Sequence, residues 1–224
     1  MAFQKVQRKA AKMRVAVAGP SGAGKTLSAL YLAYGVTGDW GKIALIDTEH
    51  GRGQFYGNRS DLEVGEYLYQ ELVPPFTVER YLAIAKEAEQ AVGPDGVVII
   101  DSFSHAWDGE GGVLDFKELT EQQQGKNSFT AWSDAGKKQN TLINTLLSLN
   151  AHVIVTMRTK MAYAMEQNER GKPVPVKIGL APVQRENTEY EFDLVFNIAR
   201  NHIATPPLQF PFILNLMSSY LSSF

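Results

Sequence analysis

The hydrophobic positions of the chain follow two rhythms. Short unbroken apolar runs at residues 14–18, 42–47, 96–102 and 151–157 have the length and β-branched content of strands buried on both faces. Between them lie segments with helix-forming composition or helical spacing. These are 27–34, ending near Gly35; 78–91, with Tyr81, Leu82, Ala85 and Ala88 on one face; and 129–149. Residues 192–199 read as a further strand and 186–191 as a short helix. Residues 61–73 read as extended until Pro74 and Pro75 stop them, and Gly93-Pro94-Asp95-Gly96 closes the second helix. Strands alternating with helices predict an α/β fold, with a mostly parallel central sheet flanked by helices.

Three stretches break the alternation. Residues 103–127 read as a loop, with Gly109, Glu110 and Gly112 and few structural signals. Residues 158–180 have loop or hairpin chemistry from Gly171, Pro173, Pro175 and Gly179. The stretch from Ile203 onward has no charged residue and carries Pro206, Pro207 and Pro211. The domain reading is one core over residues 1–200, with a basic arm at 1–12, and an uncharged tail at 201–224 to which no role is assigned.

Composition narrows the class. With 44% hydrophobic and 21% charged residues the chain has the balance of a soluble globular protein, and no apolar run approaches the ~20 residues of a membrane span. The absence of cysteine excludes disulfides and thiolate metal sites and fits a reducing cytoplasm. A net charge of −2 gives no global attraction to nucleic acid, so any such binding has to come from local basic patches. One is the N-terminal stretch with Lys5, Arg8, Lys9, Lys12 and Arg14 and no acidic residue. It is poor in the serines of a transit peptide and runs almost directly into the first strand, so it reads as a mobile arm, solvated or, as the alternative, in contact with nucleic acid.

The chemistry is concentrated at residues 19–26, Gly-Pro-Ser-Gly-Ala-Gly-Lys-Thr, which match G-x-x-x-x-G-K-[S/T] between a strand and a helix. In that context Gly19, Pro20, Ser21, Gly22, Ala23 and Gly24 form a cradle whose backbone N–H groups, with the helix N-terminus, bind phosphate. Lys25 reaches the β- and γ-phosphates, and the Thr26 hydroxyl is a ligand for Mg²⁺. Asp101, closing the apolar strand at 96–102, stands where a second Mg²⁺ carboxylate belongs. The carboxyl ends of parallel strands face one crevice, so Asp47, Glu49, Asp101 and Gly19 are expected to converge there. Asp47 and Glu49 point to the same side of their strand, and either can orient water.

Beyond these readings, Ile46-Asp47-Thr48-Glu49-His50 resembles the I-D-x-E-H segment of the RecA recombinases. The resemblance implies that Glu49 is the catalytic base and that Tyr56 stacks on adenine. Residues 98–102 look like the RecA Walker B strand, and 155–158 lie where that family's strand ends in a polar γ-phosphate sensor. RecA has glutamine at that point and this chain has Arg158, which takes either the sensor role or a contact to a nucleic-acid phosphate. The pattern from GPSGAGKT through IDTE and IIDSFSH to EYEFD resembles small phage-encoded RecA-like ATPases of the single-strand annealing type, over roughly residues 13–200. It does not extend into the tail.

The resemblance implies ATP and Mg²⁺ as cofactors, DNA-contacting loops at 103–127 and 158–180, and a homo-oligomer with sites completed between subunits. The first loop is acidic. The second offers Lys160, Tyr163, Arg170, Lys172 and Lys177 to single-stranded DNA, with Tyr163 able to stack on a base. Three to five such phosphate contacts give a slope of about −2 to −3.5 in log affinity against log salt. The function expected is ATP-dependent binding of single strands with annealing or recombination, in the cytoplasm of a bacterial host. A small-molecule kinase and a non-catalytic nucleotide-dependent module share the cradle and stand as alternatives; a guanine-reading N-K-x-D segment is absent.

Overall fold

The computed structural model describes residues 11–167 and 172–205. The arm cations Lys5, Arg8 and Lys9, the loop residue Arg170 and the prolines of the tail lie outside the described residues. The chain orders β1 (Arg14–Gly19), α1 (Lys25–Thr37), β2 (Ile43–Asp47), β3 (Leu68–Glu71), α2 (Val78–Val92), β4 (Val97–Asp101), α3 (His105–Asp108), α4 (Val113–Glu121), α5 (Ser128–Ser148), β5 (His152–Gln167), β6 (Pro173–Pro182), β7 (Leu194–Ile198) and β8 (Ala204–Thr205). The sheet runs β3-β2-β4-β5-β1-β7-β8, with β6 paired to β5. All pairings from β3 to β7 are parallel, whereas β5–β6 and β7–β8 are antiparallel. This is the α/β architecture that the alternation predicts.

The central strands are apolar throughout because each face is covered. Ala16, Ile46, Val98, Ile100, Val153 and Val155 face α2 and α5 in one cluster with Tyr81, Ala85, Leu142 and Leu146. Their neighbours Val15, Val17, Ile43, Leu45, Val97, Ile99 and Ile154 face α1 in a second, with Ala29, Leu30 and Ala33. The period of two along each strand sorts residues between the layers. Helix α2 buries Val78, Tyr81, Ile84, Ala85, Ala88 and Val92 at helical spacing, with Thr77 capping the Arg80 N–H. Helix α5 starts on a reciprocal cap between Asn127 and Thr130. Its far end is held by Arg14, whose guanidinium donates to the carbonyls of Leu147, Leu149 and Ala151.

Several boundaries differ from the sequence expectation. Helix α1 passes through Gly35 and ends at Thr37, where Gly38 takes the left-handed conformation that closes it. The expected extended stretch at 61–73 reduces to β3, preceded by 3-10 turns at Arg52–Tyr56 and Ser60–Leu62. The region 103–127 is not a loop: it folds into α3 and α4, which are too short to persist alone and form by burying Ala106 and Val113 on the core. The region 158–180 is a hairpin, since β5 continues through Gln167 and β6 returns beside it. The short helix at 186–191 is a 3-10 turn at Thr188–Glu191. Among the described residues no helix is long and apolar enough to cross a membrane.

Candidate nucleotide site

The cradle begins where β1 ends, at Gly19, and finishes where α1 begins, at Lys25. Two glycines there are required by geometry. A Cβ on Gly19 would lie 2.6 Å from the Ile198 carbonyl of β7, and Gly24 has φ 94°, which side chains rarely adopt. Gly24 brings no side-chain cap to α1, and the helix has no acidic residue in its first turn. The N-terminus of α1 therefore keeps its positive end for an anion. Pro20, Ser21, Gly22 and Ala23 form the turn between, closed by Ala23 N–H on the Pro20 carbonyl at 3.2 Å; Ser21 and Gly22 are exposed.

Lys25 is buried, and its ammonium donates to the Pro20 carbonyl at 3.0 Å, folding over the loop that it would share with a phosphate chain. Burial lowers its pKa against the opposing pull of Asp101 and Glu49. Thr26 donates its hydroxyl to Asp101 Oδ2 at 2.5 Å, and Thr156 donates to Oδ1 of the same carboxylate. Asp101 is 2% exposed, and burial raises its pKa although both hydroxyls pull it down. A hydroxyl and a carboxylate in contact beside a phosphate cradle are hard oxygen donors of the kind Mg²⁺ takes, with the remaining positions left to phosphate and water. The residues present thus fit a Mg²⁺–triphosphate.

The two carboxylates at the end of β2 separate cleanly. Asp47 is fully buried and accepts the Glu49 N–H at 2.6 Å, the Gly53 N–H at 2.8 Å and the Tyr69 hydroxyl at 3.1 Å. With its oxygens spent on this turn, Asp47 holds the loop in place and does not serve as the base. Glu49 points elsewhere, and its carboxylate takes a two-pronged ion pair from Arg158, Nε to Oε1 at 2.8 Å and Nη2 to Oε2 at 2.5 Å. Burial pushes Glu49 upward, yet the Arg158 hydrogen bonds and charge, with His105 and Lys25, leave its pKa below the usual carboxylate range.

Residues with no role in the sequence reading complete the surroundings. His105 is buried, shares a 2.7 Å hydrogen bond with the Thr48 hydroxyl and stacks on Phe76 at 5.0 Å. Burial and the Arg158 charge push its pKa down. Ser104 accepts the Arg158 N–H at 2.9 Å. From the far side His202 meets the Ala23 carbonyl at 3.1 Å, so the β7–β8 turn touches the cradle. His105 and Ser104 follow Asp101 closely, and that adjacency was the only signal; nothing local marks Thr156 or His202. Tyr56 is half-buried against the apolar cluster on the α1 side, whereas its neighbour Phe55 is 70% exposed.

The basic loop positions sit on the hairpin. Lys160, Lys172 and Lys177 are exposed, Tyr163 is 56% exposed, and Tyr163 pairs with Lys177 across the strands. Met161 and Met165 flank Tyr163 at alternate positions and are exposed as well. The hairpin grows from the strand that carries Arg158, and Arg158 pairs with Gly19 across the β1–β5 register.

Comparison with known families gives one result that spans nearly the whole chain: the model described as AAA domain matches residues 11–210. The curated proteins give no match.

Proposed function

Because the chain belongs to the AAA domain family, and so is a nucleotide-binding ATPase of the P-loop type, we propose that it is a Mg²⁺-dependent, RecA-like ATPase that binds single-stranded DNA and promotes annealing or recombination. The observation that carries the ATPase part is that Lys25, the Thr26–Asp101 pair and Glu49 gather where β1, β4 and β2 end, with Asp101 and Glu49 both acting on the Lys25 charge. Thr26 and Asp101 would hold Mg²⁺, which would supply charge neutralisation to the phosphates. Lys25 and the N–H groups of residues 19–26 bind and orient the triphosphate, with ATP as the substrate. Glu49 accepts the proton of the attacking water, and Asp47 fixes its backbone. Tyr56 remains the adenine-facing candidate from the RecA resemblance, with the exposed Phe55 beside it.

The DNA part rests on the hairpin. It projects an aromatic ring and two thioethers from a ribbon that also bears Lys160, Lys172 and Lys177. Such a surface suits stacking on bases with cations along the phosphates. Arg170 belongs to the same segment in sequence. Assembly of copies along a strand, with sites completed between neighbours, is the oligomeric form this reading entails.

Steady-state ATP hydrolysis with and without single-stranded DNA tests the proposal. DNA-stimulated release of phosphate that is lost in Glu49→Gln is expected. Phosphate transferred to a small acceptor, or turnover indifferent to DNA, would overturn the DNA-dependent reading.

A further inference from the structure

Arg158 occupies an unusual junction. It is the last residue of β5 to pair with β1, opposite Gly19, so its side chain starts beside the first glycine of the cradle. Its backbone is tied on both sides: the N–H donates to Ser104 Oγ at 2.9 Å, and the carbonyl accepts the Val183 N–H at 2.7 Å. One residue later Thr159 pairs with Pro182 at the root of the hairpin. The guanidinium itself is committed to Glu49, with both prongs within 2.8 Å. The Glu49 side chain is 12% exposed and that of Arg158 42%, so the carboxylate is enclosed while the arginine is open to solvent, and its charge acts on Lys25 of the cradle.

One fork of a guanidinium pairs with two oxygens of one anion at a time. Two anions have a claim on this one: the Glu49 carboxylate, and the terminal phosphate of a triphosphate in the cradle that starts at Gly19. While Arg158 is bonded to both oxygens of Glu49, the carboxylate has its charge neutralised and its lone pairs engaged, which makes it a poor acceptor for a proton from water. Lys25 also acts on Glu49, and Asp108 on Arg158, so each partner keeps an opposite charge nearby after separation. Parting the pair leaves neither charge stranded.

We propose that Arg158 is a latch on Glu49, drawn off by the γ-phosphate of a bound nucleoside triphosphate, so that a triphosphate releases the carboxylate and a diphosphate leaves it held. Arg158 is in this sense a positioning residue, acting on the reaction through Glu49. The inference rests on the reading of the cradle as an ATP site with Glu49 as its base, and goes beyond it in making the free enzyme self-restrained.

Equilibrium binding of a non-hydrolysable ATP analogue and of ADP, each with Mg²⁺, to the wild type, Glu49→Gln, Arg158→Gln and the double variant provides the test. Freed of its partner, Arg158 meets the γ-phosphate without first giving up an ion pair. Glu49→Gln is therefore expected to bind the analogue about five-fold more tightly or better, with ADP affinity unchanged to within about two-fold. In the Arg158→Gln background the same change should bring no gain, because there is no latch to open. An equal gain in both backgrounds would mean that only a negative charge near the phosphates had been removed, and would overturn the latch; so would no gain at all. Should Arg158→Gln fail to fold, Arg158→Lys replaces it, keeping the charge but losing the fork, and the gain should again shrink. Analogue binding that persists undiminished in Lys25→Ala would instead reject the cradle reading itself, so the two failures are distinguishable.

Discussion

Two carboxylates two residues apart in one short segment do opposite things. Asp47 is consumed by two backbone N–H groups and a tyrosine hydroxyl, and Glu49 is left to face the cradle side. Glu49→Gln should reduce kcat by about 10²–10⁴ while nucleotide still binds, as single-turnover hydrolysis would show. Asp47→Ala should act mainly on stability. It strands two buried N–H donors at about 1–3 kcal/mol each, and calorimetry should record a drop in Tm of about 2–4 °C per kcal/mol lost. Acid should weaken the fold in a defined window. Burial lowers the pKa of His105 and of His152, whose Nδ1 accepts the Met13 N–H at 2.9 Å. The unfolded chain then takes up protons first, below the ordinary value of 6.5, so their contribution is complete above that value and is lost as pH falls. Glu49 adds a second loss below its ordinary 4.5, because its native pKa is depressed. Melting temperatures from pH 8 to pH 5 should fall, and His152→Asn, which accepts the same N–H without titrating, should flatten part of the slope.

Among the elements, the hairpin and α5 show how extended features are anchored. Among the described residues the outer half of β5 pairs with β6 alone, and the hairpin's apolar side chains Met161, Tyr163, Met165 and Leu180 are exposed. Thr159 and Pro182 are paired, so residues 160–181 can be exchanged for a tight turn at the root without pulling on β5. That variant should retain nucleotide binding and lose binding to single-stranded DNA in an anisotropy titration. Equal loss of both would argue that the hairpin supports the site rather than the strand. At α5 the guanidinium of Arg14 serves carbonyls at and beyond the helix end. Arg14→Met keeps much of the packing but leaves these buried acceptors bare, and chemical denaturation should show a loss of more than about 2 kcal/mol.

For the molecule as a whole, the parallel sheet puts its chemistry at one rim. The ends of β1, β2 and β4 carry Gly19, Asp47 and Asp101, β5 carries Arg158 where its pairing with β1 stops, and the hairpin rises from the same rim. A nucleotide there is placed to influence anything bound on the hairpin through its root, where β5 carries Arg158 and the Val183 N–H bonds the Arg158 carbonyl. The single-strand assembly reading therefore carries a mass prediction: light scattering with Mg²⁺, ATP and single-stranded DNA should report growth beyond the monomer, and Lys25→Ala should stay small. Growth that is indifferent to Lys25 would separate assembly from nucleotide.

The sequence by itself determined the α/β class and located the glycine-rich turn and the carboxylate of Asp101, because each depends on short-range order: apolar runs of strand length, glycines at fixed offsets, and a carboxylate closing a buried run. The alternation also located α2 and α5, whose apolar faces repeat over many turns. It missed α3 and α4, which are short and hold their shape by packing rather than by periodicity, and it gave 158–180 no more than loop or hairpin character. Only the tertiary structure decided the partnerships. Thr26 meets Asp101 from 75 positions away, and Glu49 meets Arg158 across 109. Those meetings follow from strand order, with β5 inserted between β1 and β4, and strand order is fixed by which faces the helices cover, a property of the assembled layers that no local pattern records.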